Sequence, residues 1–201
     1  MSLSVIMTVN KRSVADLTSV LSSFRYMVGN DEYEEMVIVN DRGDRAVLES
    51  CLRTLGLEAR IVDIDGPPGR LCPSKAWNAG FAAATSTHYL CISSDTVLIP
   101  KSVRRAREIT EMLPDIITFG RAEHCGMFYS FILDKTETRA MTAYFAPKPL
   151  GFVWVVPASA LSAIDPPGYD EIYMGGSCYE DNDIVQRLWL GGYDFLFCDD
   201  I

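Results

Sequence analysis

The chain has 201 residues, 48% of them apolar, with 18 basic residues against 27 acidic ones and a formal charge of −9. That length suits one compact domain with a real core, and the acidic balance argues against a nucleic-acid backbone as the main partner. No stretch approaches the 18 consecutive apolar residues that would read as a spanning helix, and the N-terminus passes directly into SVIMTV without a charged leader, so a cytoplasmic protein, at most peripheral to a membrane, is expected. Cys51, Cys72, Cys91, Cys125, Cys178 and Cys198 form no C-x-x-C pair and match neither a zinc knuckle nor a disulfide scaffold. They read as scattered reduced thiols, and His88 and His124 lie in unrelated patterns that supply no evident base to a cysteine.

In chain order, residues 3–9 (LSVIMTV) form a continuous apolar run that reads as a buried strand ending at Asn10. Val14, Leu17, Val20, Leu21 and Phe24 then recur at helical spacing, which predicts a helix over 13–28 with one buried stripe. Residues 35–39 (EMVIV) read as a second strand. Val47, Cys51, Leu52 and Leu55 predict a second helix that Gly56 ends, and 59–64 a third strand. The loop DGPPGRLCPS follows, with Ser74 as the expected cap of a helix running to about Ala84. HYLCIS at 88–93 is the next strand, a helix follows Pro100, and DIITFG begins another strand near 115. The alternation predicts a largely parallel sheet covered on both faces. In the second half, 126–133 and 141–157 read as shorter, partly antiparallel strands, followed by the loop-like PPGYDEIYMGGSCYED, a helix over 182–190 and a last strand FLFC. No linker or low-complexity block divides residues 1–201, so a single domain is expected.

The polar strand ends carry the chemistry, because ligands of open α/β sheets bind beyond the strand carboxyl ends. Asn10 ends the first strand and Asp41 the second, in VNDRGD, where Gly43 would permit positive φ. A carboxylate at Asp41 can accept hydrogen bonds from a base imide or a ribose hydroxyl. There is neither a G-x-G-x-x-G fingerprint nor a G-x-x-x-x-G-K-[ST] phosphate loop. Asp95 in SSDT can hold Mg²⁺ or Mn²⁺ while the ion binds a diphosphate, or it can serve only a turn. Arg70 or Lys75 can reach a diphosphate or simply face solvent. Trp77 reads as packed, and Asn78 and Gly80 suit a close helix-to-sheet contact near a ligand. In GGSCYEDNDIVQRL, Asp181 can cap a helix or act as a general base toward a hydroxyl; Asp183 reads as a first-turn acid, and Arg187 faces solvent or pairs with one of the acids. Each residue taken alone is also what a turn or cap would use; together, at ends one sheet brings to one edge, they favour a site.

At these motifs the chain resembles the family 2 glycosyltransferases with the GT-A fold. The resemblance runs through SVIMTVNKR, MVIVNDRGD, SKAWNAGFAAATSTHYLCISSD and YEDNDIVQRLWLGGYDFLFC, with 120–165 contributing little. It implies an α/β, GT-A-like, open and mostly parallel sheet with helices on both faces and a smaller mixed-sheet acceptor region. Residues 1–100 would form the nucleotide-sugar-binding half and 101–201 the acceptor-facing half. The implied activity moves a sugar, with inversion, from a nucleoside-diphosphate sugar, a UDP-sugar first, to a hydroxyl of a carbohydrate, glycolipid or glycoprotein, assisted by Mg²⁺ or Mn²⁺. By resemblance, Asn10 and Asp41 contact the nucleoside. The family's Asp-X-Asp metal motif is matched by Ser93-Ser94-Asp95, which lacks the first acid and leaves Asp95 as the ligand. Asp181 would be the catalytic base, and Glu180 would help position the acceptor. The metal-binding His that follows the strand matching FLFC in many relatives has no counterpart before Ile201, which leaves Asp199, Asp200 or a further segment to supply it. A sugar-phosphate nucleotidylyltransferase, and a nucleotide-sugar-binding module without efficient turnover, are the alternative readings.

Overall fold

The structure is a computed structural model that describes residues 1–10, 14–27, 32–65, 73–120, 153–173, 180–198 and 201. The elements follow the apolar pattern closely. Strand β1 (Leu3–Asn10) leads to α1 (Val14–Met27), β2 (Glu35–Asp41), α2 (Arg45–Leu55) and β3 (Arg60–Ile64). Next come α3 (Pro73–Ala83), β4 (His88–Ser93), α4 (Ser102–Met112) and β5 (Ile117–Gly120). The last part holds β6 (Val153–Pro157), α5 (Ala158–Ala163), a 3₁₀ turn (Glu171–Tyr173), α6 (Glu180–Leu190) and β7 (Phe195–Cys198).

Local chemistry sets the helix ends. Asp44 caps α2, its carboxylate accepting from the amides of Ala46 at 2.9 Å and Val47 at 3.3 Å. Gly56 closes the same helix in the left-handed region at φ 63°, with the Leu57 amide returning to the Leu52 carbonyl at 3.0 Å. Ser74 does not cap α3. The helix already begins at Pro73, whose missing N–H is no loss in a first turn, and the Ser74 hydroxyl is buried without a hydrogen-bond partner among the described residues.

The strands form one seven-stranded sheet in the order β3-β2-β1-β4-β6-β5-β7. Only β6 runs against the rest: it is antiparallel to β4 and β5, and β5 and β7 are parallel. The mixed character expected of the second half is therefore a reversal inside the main sheet. The expected strand at 126–133 and residues 141–152 of the next one lie outside the described residues. The chain steps outward from β1 to β3, then returns to the other side of β1 as β4, so the topological switch lies between β1 and β4.

Each face of the sheet carries its own core. Leu17, Val20, Leu21 and Phe24 of α1, Leu48 and Leu52 of α2, and Val103, Ala106 and Ile109 of α4 pack on one face. Ala76 and Trp77 of α3, Ala160 and Leu161 of α5, and Ile184 and Leu188 of α6 pack on the other. On this second face α3 lies very close to the strands. A Cβ on Gly80 would stand 2.5 Å from Ile6 Cγ2 and 3.2 Å from Val39 Cγ2. The close contact expected at Gly80 is thus present, and Ile6 is a stiff β-branched residue with little room to yield. Gly80→Ala should destabilise the protein by about 1–3 kcal/mol through overpacking. Urea unfolding checks this: the midpoint should fall with the slope unchanged, and an unaltered midpoint would contradict the packing described.

Candidate functional site

Strand parity decides which polar ends share a face. In β1, Leu3, Val5, Met7 and Val9 pack with α1, α2 and α4, while Ile6 packs with α3 and α6. Side chains alternate along a strand, so Asn10 belongs to the face of Ile6. Asp41 likewise shares the parity of Val37 and Val39, and Ser93 that of Tyr89 and Cys91. Register then aligns them: Asn10 lies opposite Asp41, and Ser93 opposite Thr8. Three strand ends therefore present polar side chains on the α3/α6 face, at the carboxyl edge and beside the switch between β1 and β4.

Asp41 is buried, and its carboxylate is fully engaged. Asn10 Nδ2 donates to Oδ2 at 2.5 Å; Arg42 Nε donates to Oδ1 at 2.8 Å and Nη2 to Oδ2 at 3.2 Å. Arg42 itself holds φ 60°, so the left-handed residue of this turn is Arg42 and not Gly43. A left-handed non-glycine residue costs about 1–2 kcal/mol. Two groups sustain it: the charge-assisted grip on Asp41, and Asn40, which accepts from the Gly43 amide at 3.0 Å and donates to the Gly43 carbonyl at 3.0 Å. Asn40 also donates to Asp63 at 2.8 Å. That bond, followed by the Arg45 guanidinium, holds the Asp63 carboxyl below its ordinary range. The sequence reading missed Asn40 because only its alternation to the opposite face separates it from Asp41.

Beyond β4, Ser93 Oγ donates to Asp95 Oδ1 at 2.5 Å, and Asp95 is exposed. Among the described residues no group of three His, Cys, Asp or Glu stands ready to hold a metal ion. An exposed carboxylate at a strand end still suits an ion such as Mg²⁺, which takes one or two carboxylates and completes its shell with phosphate oxygens and water. Lys75, in the first turn of α3, donates to the Asp65 carbonyl at 2.8 Å just past β3. Arg70, Tyr179, Asp199 and Asp200 lie outside the described residues.

The second cluster centres on α6. This helix runs into β7 through 191–194, and β7 is parallel to β5, so the N-terminus of α6 lies at the carboxyl edge of the parallel strands. Glu180, Asp181 and Asp183 all sit in its first turn, where the helix dipole favours anions. Asp181 is therefore inside the helix and is not its cap. Asp183 is gripped by Arg187 at 2.8 and 2.7 Å, one helical turn on. Arg187 also donates to the carbonyls of Pro166 at 2.6 Å and Gly168 at 2.9 Å. Asp181 Oδ1 accepts from the Tyr169 hydroxyl at 3.1 Å.

Tyr169 lies in a stretch of loop-like sequence, yet it is buried and joins α3 to α6. Asn78 Oδ1 accepts from the Tyr169 amide at 2.8 Å, and Asn78 Nδ2 donates to the Tyr169 carbonyl at 2.9 Å and to Glu171 at 3.1 Å. Both ends of the Asn78 amide are thus spent on holding this segment. Gly168 is required twice over, by φ +72° and because a Cβ there would lie 2.5 Å from Asn78 Oδ1. The Tyr169 ring is stacked with Trp77 and Phe81 and meets Trp154 edge-on. Tyr173 lies in the 3₁₀ turn that follows.

Burial pushes the Tyr169 phenol well above its ordinary value near 10, and the Asp181 charge adds to the effect. Burial raises Tyr33 and Tyr89 as well. Between the unfolded and folded values the native chain keeps protons that the unfolded chain releases, so stability is full below pH 10 and falls as pH rises beyond it. Tyr169, fully buried, contributes a slope of up to about 1.4 kcal/mol per pH unit in that window. Urea midpoints measured from pH 8 to 11.5 should fall above pH 10, and less steeply in Tyr169→Phe. Equal slopes in the two proteins would contradict the burial of this hydroxyl.

No protein-family model matches the chain, and no curated protein matches it. Solved structures do. TarS of S. aureus (residues 1–349) superposes with a TM-score of 0.70 at 15% identity, covering 100% of this chain and 59% of that one. The mannosyltransferase PcManGT of Pyrobaculum calidifontis, in complex with GDP-Man and Mn²⁺, gives 0.70 at 13% identity over 98% of this chain and 55% of its own. Glucosyl-3-phosphoglycerate synthase of Mycobacterium tuberculosis, with Mg²⁺ and UDP, gives 0.65 at 17% identity over 98% and 69%. The chain spans a little over half the length of the first two, and no helix among its described residues is long and apolar enough to cross a membrane. The fold of the chain is the GT-A fold of these glycosyltransferases.

Proposed function

We propose that the chain is the nucleotide-sugar-binding and catalytic domain of an inverting glycosyltransferase, its two halves forming one unit. The observation that carries this reading is the arrangement of acids at the carboxyl edge. Asp41 ends β2, Asp95 follows β4, and Asp181 lies in the first turn of α6 at the same edge, while its neighbour Asp183 is neutralised by Arg187. The related structures hold UDP, or GDP-Man with Mn²⁺, which supports a nucleoside-diphosphate sugar and a divalent ion here. Asn10 and Asp41 would meet the nucleoside, a uridine first. Lys75 and Arg70 would serve the diphosphate, and Asp95 would hold the ion. When bound, that ion would neutralise charge on the departing diphosphate. Asn78 contributes by fixing the 168–171 segment next to the site.

In the transfer itself, the acceptor hydroxyl oxygen bonds to the anomeric carbon as its proton passes to the Asp181 carboxylate. The bond from that carbon to the diphosphate oxygen breaks, and its electron pair leaves with the nucleoside diphosphate. One displacement inverts the carbon and needs no glycosyl-enzyme intermediate. Glu180 would orient the acceptor, a hydroxyl of a carbohydrate, glycolipid or glycoprotein. The second reading, a binding module without efficient turnover, draws on Ser93, which stands where a second acid would strengthen ion binding. Nucleoside-diphosphate release separates the two, and production of a nucleotide sugar from a nucleoside triphosphate and a sugar phosphate would indicate a nucleotidylyltransferase.

Asp181→Asn should keep the fold and UDP binding while lowering transfer about 10²-fold or more. Product NMR from an α-linked UDP-sugar should give the β configuration. A retained configuration, or near-normal turnover in the variant, would defeat the mechanism. For the sugar-donor site, calorimetry with UDP should show Asp41→Ala weakened about tenfold with or without Mn²⁺. Asp95→Asn should weaken binding only when Mn²⁺ is present. Equal affinities across the three proteins would remove both assignments.

A further inference from the structure

Asp181 accepts a hydrogen bond from a buried hydroxyl that its surroundings hold on several sides. The Tyr169 hydroxyl lies 3.1 Å from Asp181 Oδ1. Its ring lies nearly parallel to those of Trp77 and Phe81, which also stack on each other, and it meets Trp154 edge-on. Its backbone is clipped at both N–H and C=O by Asn78, and the two carbonyls upstream at Pro166 and Gly168 are held by Arg187. Such a hydroxyl has one place to donate. It reaches the carboxylate from the apolar recess formed by Phe119, Trp154, Ile184 and Val185.

We propose that Tyr169 is a positioning residue for the acid at 181: its buried hydroxyl fixes the plane of the Asp181 carboxylate and keeps that group ionised at the pH of transfer. Its catalytic significance rests on Asp181 being the base, but the contact and its effect on ionisation do not. A hydrogen bond donated to a carboxylate favours the charged form, which opposes the effect of the apolar recess beside it. The other titratable groups facing the pair are Glu180 on α6 and the Cys91 thiol of β4, and both add negative character near the phenol when ionised. Asp183 is held by Arg187 and does not take the hydroxyl. Without the Tyr169 hydroxyl the carboxylate would keep its place on the helix but lose this bond, and it would protonate at higher pH.

The test uses the whole chain with ¹³C-labelled aspartate carboxyls, titrated by NMR, with the Asp181 signal assigned by its disappearance in Asp181→Asn. Tyr169→Phe keeps the ring stack and removes only the hydroxyl. It should raise the Asp181 midpoint by about 0.5–1 pH unit. Placing 3,5-difluorotyrosine at position 169, a more acidic donor of nearly the same shape, should move the midpoint the other way and guards against a folding defect in the Phe protein. Coincident midpoints in the three proteins would overturn the inference. With a UDP-sugar as substrate, the acidic limb of the kcat profile should shift upward in Tyr169→Phe with KM little changed. If Asp181→Asn retains turnover, the base assignment fails on its own, whatever the NMR midpoints do. If Asp181→Asn is inactive and Tyr169→Phe has the wild-type pH profile, the role of Tyr169 in catalysis fails and the base assignment stands.

Discussion

Everything at the candidate site depends on the parity and register of three parallel strands. Because β1 and β2 pair with Asn10 opposite Asp41, and β1 and β4 with Thr8 opposite Ser93, the polar ends of all three strands emerge on one face. A slip of one residue in any pairing would send one of them to the α1/α2/α4 side. The register is protected by burial on both faces: Val5, Ile6, Val37, Ile38, Leu90 and Cys91 are all inaccessible to solvent. The apolar middles of the strands thus hold the polar ends in place.

A second constraint works on the same face of the sheet as the first. Helices α3 and α6 cover the same face, and the segment 165–171 is wedged between them. Asn78 mimics a strand partner for Tyr169, while Arg187 spans Asp183 and the carbonyls at 166 and 168. These bonds place Tyr169 so that a buried aromatic cluster and an acidic helix start meet at one hydroxyl. Rigid elements supporting a small number of polar groups are what a pre-organised catalytic site needs.

The fold was legible because its signals are local. Apolar runs bounded by Asn, Asp or Gly gave the strands, and the helical spacing in α1 and α2 gave the crossovers. Asp44 and Gly56 sit where caps belong. The direction of β6 was not legible, since VWVVP reads the same in either orientation. At the site, Asp41, Asp95 and Asp181 stood out as acids at element ends, but what holds them did not. Asn78 and Tyr169 are 91 residues apart, and no pattern in either neighbourhood signals their contact. Gly43 looked like the residue for positive φ, yet Arg42 takes it, because the conformation follows from the grip on Asp41 and not from intrinsic preference.

The central claim is that the carboxyl edge beside β1, β2 and β4 receives a nucleoside diphosphate with its metal ion. Amide NMR of the protein with Mn²⁺, without and with UDP, addresses it directly, since the ion broadens signals close to it. The account predicts that UDP shifts the amides at Asn10 and 41–43, and that Mn²⁺ then broadens 93–96 most strongly and far less without UDP. Broadening centred on another part of the chain, or UDP leaving Asn10 and 41–43 unperturbed, would contradict it.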